Sequence, residues 1–267
     1  MVFHCKIMFM NERFENYFSN VYKERWPAIW QALHEPVKQV MRKSAFFQNE
    51  QTEFYKMDPA SILVAQALKV QENDIVLDMC AAPGGKSLIL AEGLNQTGQL
   101  VSNEISKDRR DRLVRVFQDY ILKDQRQNIF VKGLDGNQYG LQMPEHFDKV
   151  LCDVPCSGER HLIENATEFK AWTEKRSRNL AIRQFSLLSS GWLACKPGGR
   201  IVYSTCSISP LENDEIIKKL KKRRDVQIVH EVELAQNSFI EKTEYGYQIL
   251  PDTCHFGPMY FAVMLKI

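Results

Sequence analysis

Two cysteines set the chemistry open to this chain. Cys156 stands in Asp153-Val-Pro-Cys-Ser-Gly and Cys206 in Tyr203-Ser-Thr-Cys-Ser, each just past an apolar run that reads as a strand. Adjacent strand ends bring two such thiols close together. A thiolate is a nucleophile, and a free thiol titrates near pH ~8.5 unless its surroundings lower that value. Cys206 precedes Ser209-Pro-Leu-Glu212, which has the pattern of a capping box with proline at the first helical position. The helix dipole there is expected to favour the Cys206 thiolate. The spacing predicts a nucleophile and a second thiol in one cleft. Packing as small buried residues is the alternative use of such cysteines.

The segment Ile75–Ser87 supplies a place for a second reactant. Ile75-Val-Leu77 reads as a short buried strand closed by Asp78, small and turn-forming residues continue to Gly85, and Leu88–Glu92 is helix-compatible. Strand, tight turn and helix N-terminus form a nucleotide-type pocket, because glycines let backbone approach a ligand and free amides face it. The turn is neither G-x-G-x-x-G nor a Walker loop, so NAD and ATP are not indicated. Glu104, ending the next strand, can accept two hydrogen bonds from a ribose. Arg109, a turn into the following helix, is placed to pair with that carboxylate or with the ligand. Asp135, at the third strand end, is placed to meet an exocyclic amine. Each acid also has an ordinary use as a cap or loop residue; their placement at successive strand ends favours a nucleoside-like cofactor. Cys80, inside the turn, is expected to pack rather than react.

These side chains need a scaffold. Residues 11–57 read as helical, with Phe14, Phe18 and Tyr22 at helical spacing. Trp26-Pro27 interrupts that pattern, and a second helix is expected near 28–34. The aromatic stripe is expected to pack against the main domain. Asp58-Pro59 reads as N-cap and first residue of the next helix. Strands are expected at 75–77, 99–105, 128–134, 148–154 and 200–205, and helices at 107–122 and around 179–194. A turn at 196–199, a helix from Ser209 through the basic run Lys218–Arg224, and last strands at 226–232 and 259–267 complete the pattern. The alternation predicts a doubly wound α/β fold, a seven-stranded mostly parallel sheet with helices on both faces. Ligands in such sheets sit at the carboxyl ends of the strands, where Asp78, Glu104, Asp135, Asp153 and Cys206 all fall. The expected division is a helical extension at 1–57 and the main domain at 58–267.

Composition bounds the partners. The 267 residues, 44% hydrophobic and 25% charged, suit a soluble globular chain with one full α/β domain. No apolar run approaches the ~18–20 residues of a membrane span. The first ten residues lack a secretion pattern, and Glu12 and Glu15 argue against a transit peptide, so a cytoplasmic protein is expected. Seven cysteines without a Cys-x-x-Cys pair read as reduced thiols, and no metal site is expected. The net charge of +2 conceals local bias: Lys170, Lys175, Arg176, Arg178, Arg183, Lys196 and Arg200 face only Glu168 and Glu174 within 168–200. Such stretches suit a phosphate backbone; for 218–224 a solvated helix face is an equal reading.

The blocks Asp78-Met-Cys-Ala-Ala-Pro-Gly-Gly-Lys86, Asp153-Val-Pro-Cys-Ser-Gly158 and Tyr203-Ser-Thr-Cys-Ser207 resemble, in order, the signature blocks of the Sun (Fmu/RsmB-like) family of RNA cytosine-5 methyltransferases. The likeness covers roughly residues 55–267, and Phe54–Ser61 resembles the family's block leading into the methyltransferase domain. Arg160-His161, Arg176-Ser-Arg178 and Phe256–Phe261 are similar to the organellar branches acting on small-subunit rRNA or tRNA. The usual family ending, Asp-Gly before two aromatics, is absent, so no residue of the last block is assigned a role.

The resemblance implies a Rossmann-like fold that uses S-adenosylmethionine and forms 5-methylcytosine. It implies that Cys206 attacks carbon 6, that Cys156 assists release, that Asp153 hydrogen-bonds the cytosine ring near the methyl donor, and that Lys86 supplies positive charge beside them. It further implies that Ala81, Ala82, Pro83, Gly84, Gly85, Lys86, Glu104, Arg109, Asp135, Gly136 and Asp153 hold the cofactor. RNA is the implied partner, rRNA before tRNA, with specificity expected from the basic surface, a structured ribosomal substrate or a partner protein. The target base must leave its stack, which is easiest in unpaired RNA. Two other readings stay open. A methyltransferase of amino groups needs an acid-proline-aromatic block rather than Asp153-Val-Pro-Cys156. A ribosome-assembly factor with dispensable catalysis is disfavoured, as the whole account, by the intact Cys156 and Cys206.

Overall fold

Asn11 starts the first helix: its side chain accepts bonds from the amides of Arg13 and Phe14, opening α1 (Glu12–Tyr22). Pro27 sits in the first turn of α2 (Trp26–His34), where its missing N–H is no loss, so Trp26-Pro27 begins the second helix. The computed structural model describes residues 11–46, 54–231, 234 and 236–267. Residues 1–10 with Cys5, residues 47–53, and the expected strand end at residue 232 lie outside the described residues.

Among the described residues beyond His34 the extension is not helical, which corrects the expectation for 11–57. β1 (Val40–Lys43) pairs antiparallel with β2 (Phe54–Met57). Burial there alternates with period two, the pattern of a strand, and Arg42 turns inward to pair with Glu92. Asp58 accepts from Ala60 N at 2.8 Å and caps α3 (Pro59–Ala67), as expected.

The alternation continues through β3 (Ile75–Asp78), α4 (Gly85–Gly93), β4 (Gln99–Asn103), α5 (Lys107–Tyr120), β5 (Ile129–Lys132), α6 (Tyr139–Gln142) and β6 (Phe147–Asp153). Next come α7 (Glu159–Glu164), α8 (Ala166–Lys170), α9 (Glu174–Ala194), β7 (Cys195–Thr205), α10 (Asp214–Lys221) and β8 (Val226–Val229). β9 (Glu241–Lys242), β10 (Tyr247–Ile249), α11 (Pro251–Cys254) and β11 (Met259–Lys266) close the chain.

The sheet runs β5-β4-β3-β6-β7-β11-β10-β9, with β8 also on β11. β5, β4, β3, β6 and β7 pair in parallel, and β11 enters antiparallel to β7. The outer edge of β11 is shared, by β10 along Met259–Phe261 and by β8 along Val263–Lys266. The seven expected strands are present. β9 and β10, too short to show a period, bring the sheet to nine strands among the described residues. The turn expected at 196–199 is a bulge inside β7, since Phe147 faces Cys195 while Lys149 faces Arg200.

Strand order reverses at β3: β4 lies on one side and β6 on the other, which opens a crevice at their carboxyl ends. Alternate residues feed the two helical layers. Val76 joins Leu88 and Leu113 in one core; Leu77 joins Leu188 and Ile217 in the other. A third cluster joins Phe14, Phe18 and Trp26 to Phe169 and Trp172, so the aromatic stripe packs as core. Helices on both faces leave the strand ends as the open rim.

Candidate active site

The turn after β3 begins with a buried acid. Asp78 is 1% exposed, accepts from Ser87 Oγ at 2.6 Å through Oδ2, and has no hydrogen-bond partner on Oδ1. Burial, with Asp153 nearby, pushes its carboxyl up to about 7 against the pull of Ser87 and Lys86. Gly84 carries the turn with φ +121°, where a Cβ would meet Leu113 Cδ1 at 3.0 Å and Val116 Cγ1 at 3.1 Å. Only glycine fits there, and it delivers the orphan first-turn amides of α4 to the crevice.

Glu104 follows β4 directly rather than ending it. It is 3% exposed and accepts from Ser106 N at 2.9 Å through Oε1. Its Oε2 lies 3.3 Å from Arg109 Nη1 as an ion pair yet accepts no hydrogen bond, so an acceptor stays open at the crevice. Arg109 also donates to Ala82 O at 2.9 Å, tying the turn to α5. Asp135 accepts from Asn137 N and Asn137 Nδ2, both on Oδ1, which fixes the turn around Gly136. These residues line a cavity of about 390 Å³ whose apolar walls include Ile105, Pro155 and Leu187. A flat base fits between such walls, and a ribose hydroxyl fits the open Glu104 oxygen. Sequence reading missed the walls, because single apolar residues after strand ends carry no period.

A second cavity of about 170 Å³ adjoins the turn and is lined by Tyr55, Asp58, Ala82, Lys86 and Asp153 among others. Asp153 accepts from Lys86 Nζ at 2.8 Å and from Ser204 Oγ at 2.6 Å, so both carboxylate oxygens are engaged. Burial works to lower the Lys86 ammonium, but Asp153, Asp78 and Cys206 outweigh it and raise the group. Cys80 reaches both cavities and is held as a thiol: burial first, then Asp78 and Asp153, push it far up.

Cys156 and Cys206 meet, with sulfurs 2.7 Å apart, and Cys206 N donates to Cys156 Sγ at 3.2 Å. The bond to Cys206, then burial, then the charges of Cys206, Glu212 and Glu159 push the Cys156 thiol well up. The expected capping box is absent. Pro210–Glu212 is one 3-10 turn without a side-chain cap, Ser209 Oγ bonds Tyr17 OH at 3.0 Å, and Glu212 turns inward. A helix dipole therefore does not serve Cys206; α10 begins only at Asp214, and the cation beside the thiols is Lys86.

The other expectations fall away from the crevice. Arg160 donates to Ala32 O at 2.9 Å and to Glu35 O, closing the end of α2. Arg176 pairs with Glu168 and Arg178 with Glu174. The basic run packs on rings: Lys219 and Arg223 lie 4.2 and 5.2 Å over Phe185, and Arg224 lies 4.9 Å over Trp192. Gly257 N donates to Asp58 Oδ2 at 2.8 Å, which docks the last block on α3.

A sheet in this order, with a cavity of about 390 Å³ where its strand order reverses, defines the Rossmann-like methyltransferase class. A methyltransferase homologue from Pyrococcus horikoshii shares the fold, with TM-score 0.77 at 20% identity over 97% of this chain and 96% of that one. The chain belongs to the 16S rRNA methyltransferase RsmB/F family, whose model matches residues 65–265. It is 38% identical over 234 residues to the 5-cytosine rRNA methyltransferase NSUN4 of Bos taurus, covering 80% of this chain and 60% of that protein. It is 33% identical over 229 residues to the mitochondrial tRNA (cytosine(34)-C(5))-methyltransferase of Danio rerio, covering 80% and 61%. The chain thus spans about three fifths of these curated relatives.

Proposed function

We propose that this chain is an S-adenosylmethionine-dependent RNA cytosine-5 methyltransferase acting on small-subunit rRNA. The observation that carries the reading is the contact between Cys156 and Cys206, 2.7 Å apart beside the Asp153–Lys86 pair. The residues present fit the cofactor: Glu104 offers an open acceptor for its ribose, Ile105 and Pro155 flank its base, and the Ala81–Lys86 turn with Arg109, Asp135 and Gly136 frames the rest. When bound, S-adenosylmethionine supplies an electrophilic methyl group.

The chain's own residues prepare the base to take it. With a proton held on Cys156, Cys206 is the sulfur left to attack carbon 6 of cytosine. Forming that S–C bond shifts electrons to carbon 5 and makes it nucleophilic. Asp153, fixed by Ser204 and Lys86, hydrogen-bonds the ring and holds carbon 5 in line. Once carbon 5 carries the methyl group, its proton passes to a base and the electron pair of that C–H bond expels Cys206 from carbon 6 as a thiolate, with Cys156 assisting this release. The 16S rRNA methyltransferase family favours small-subunit rRNA, and the bovine relative, an rRNA methyltransferase, favours rRNA over tRNA; the zebrafish relative supports tRNA as a second reading. A ribosomal subunit or partner protein supplies specificity in this reading, since Arg176, Arg178 and much of the basic run are engaged within the chain. Tight, site-specific binding of the lone chain to naked RNA would count against such a partner.

The test uses Cys156→Ala with S-adenosylmethionine and unmodified small-subunit rRNA, with tRNA in parallel, followed by denaturation. A protein–RNA adduct is expected to accumulate, and to vanish when Cys206→Ala is added. No adduct, together with full activity of Cys206→Ala, overturns the covalent mechanism.

A further inference from the structure

Beneath the two thiols lie two carboxylates that the proposed reaction leaves unused. Glu159 and Glu212 are both 0% exposed. Glu159 is the first residue of α7, and Gly158 before it, at φ +55°, turns the chain back under Cys156. Its Oε1 accepts from Ser157 Oγ and, at 3.0 Å, from Ser207 Oγ; its Oε2 accepts from Ile208 N at 2.9 Å. Ser157 follows Cys156, Ser207 follows Cys206, and their hydroxyls are 2.9 Å apart. Glu212 braces the same loops from the other side. Its Oε2 accepts from Ser157 N at 2.9 Å and from Gln184 Nε2 at 2.8 Å, and Gln184 also donates to Pro155 O at 2.9 Å.

Desolvating a carboxylate is costly, so an apolar residue would fill this space more readily. It could not join two loops through one side chain. We propose that Glu159 is a positioning residue for the thiol pair: its carboxylate bridges the loops after Cys156 and Cys206 and, braced by Glu212, holds the two sulfurs in contact. The inference rests on the covalent reading above.

The bridge also carries charge. Burial first, and Glu212 second, push the Glu159 carboxyl up to about 7, against the bonds from Ser157 and Ile208. The titratable groups facing it are Glu212 after β7, Cys156 on the neighbouring loop, and Tyr17 and Tyr22 of α1. Ionised Glu159 adds to the field that keeps the proton on Cys156, and that part of the field is lost as pH falls through about 7.

The experiment measures single-turnover adduct formation by the full chain in the Cys156→Ala background, with unmodified small-subunit rRNA and S-adenosylmethionine. Glu159→Ala is expected to slow the adduct by about tenfold or more, as displaced reacting groups do, with cofactor affinity unchanged. Glu159→Gln, whose amide oxygen still accepts from Ile208 N, is expected to restore most of the rate. With Cys156 intact, Glu159→Gln is expected to lose an inflection near pH 7 in turnover. Parental adduct rates in a folded Glu159→Ala, or equal losses in the Ala and Gln variants, overturn the bridge. If the Ala variant does not fold, a parental adduct rate in folded Glu159→Asp, whose shorter side chain cannot reach both loops, overturns it instead. An adduct in the Cys156→Ala parent that ignores Glu159 sinks this inference alone; no adduct in that parent, together with full activity of Cys206→Ala, sinks the covalent reading with it.

Discussion

Asp78 holds a charge in a place that resists it. Its carboxyl is buried under the turn, one oxygen has no hydrogen-bond partner, and burial pushes its pKa up to about 7. A carboxyl raised in this way binds its proton more tightly folded than unfolded. Its contribution to stability is therefore full below the unfolded value, about 4, and is lost as pH rises through about 7. Stability of the wild type is expected to fall between pH 5 and pH 8. Asp78→Asn keeps an acceptor for Ser87 and removes the titration, so urea unfolding at each pH should show a flatter profile. At pH 8 the variant should gain about 2 kcal/mol relative to its own difference from wild type at pH 5, as the linkage of one strongly raised carboxyl allows. Glu159 shifts in the same direction and should leave a residual slope. Equal slopes in the two proteins would mean that Asp78 does not titrate in this range.

At the scale of elements, the β3–α4 turn is the part that local sequence specifies most fully. Gly84 combines φ +121° with side chains of α5 only 3.0–3.1 Å from where a methyl group would sit. Gly84→Ala is expected to cost about 1–3 kcal/mol by strain and to weaken cofactor binding more than RNA binding, measured by calorimetry with each ligand. Wild-type cofactor affinity in the variant would refute the close approach. This turn, the helix cap at Asp58 and the acids at successive strand ends were legible because their signals lie within a few residues. The Cys156–Cys206 contact was legible too, since adjacent strands place their ends together. The cap at Ser209 misled because its glutamate has better partners elsewhere: Glu212 reaches Ser157 N and Gln184, distant in sequence. Glu159 was invisible for the same reason, as its bonds cross from one strand end to the next. β1 and β2 pair across a gap that periodicity within either segment cannot span.

The whole molecule depends on how the N-terminal helices meet the methyltransferase fold. Phe14 is 0% exposed and packs against Phe18 at 4.6 Å, Trp172 at 5.0 Å and Phe169 at 5.1 Å between ring centroids. Trp172 and Phe169 belong to the segment between β6 and β7, so one aromatic cluster spans both parts of the chain. α1 also reaches the thiol loop directly: Tyr22 OH donates to Ile208 O at 2.6 Å, next to the amide that Glu159 holds. Helices joined this way should not unfold on their own. Phe14→Ala is expected to cost about 3–5 kcal/mol, the usual loss for emptying a buried phenylalanine site. Because the cluster is shared, that loss should lower the midpoint of a single cooperative transition, followed both by tryptophan fluorescence and by circular dichroism. Adduct formation by Cys206 should slow in the same variant under folding conditions, since the loop held by Tyr22 loses its backing. Two separated transitions, with adduct formation unchanged, would show instead that α1 and α2 pack as an appendage and that the thiol loop is held from the sheet side alone.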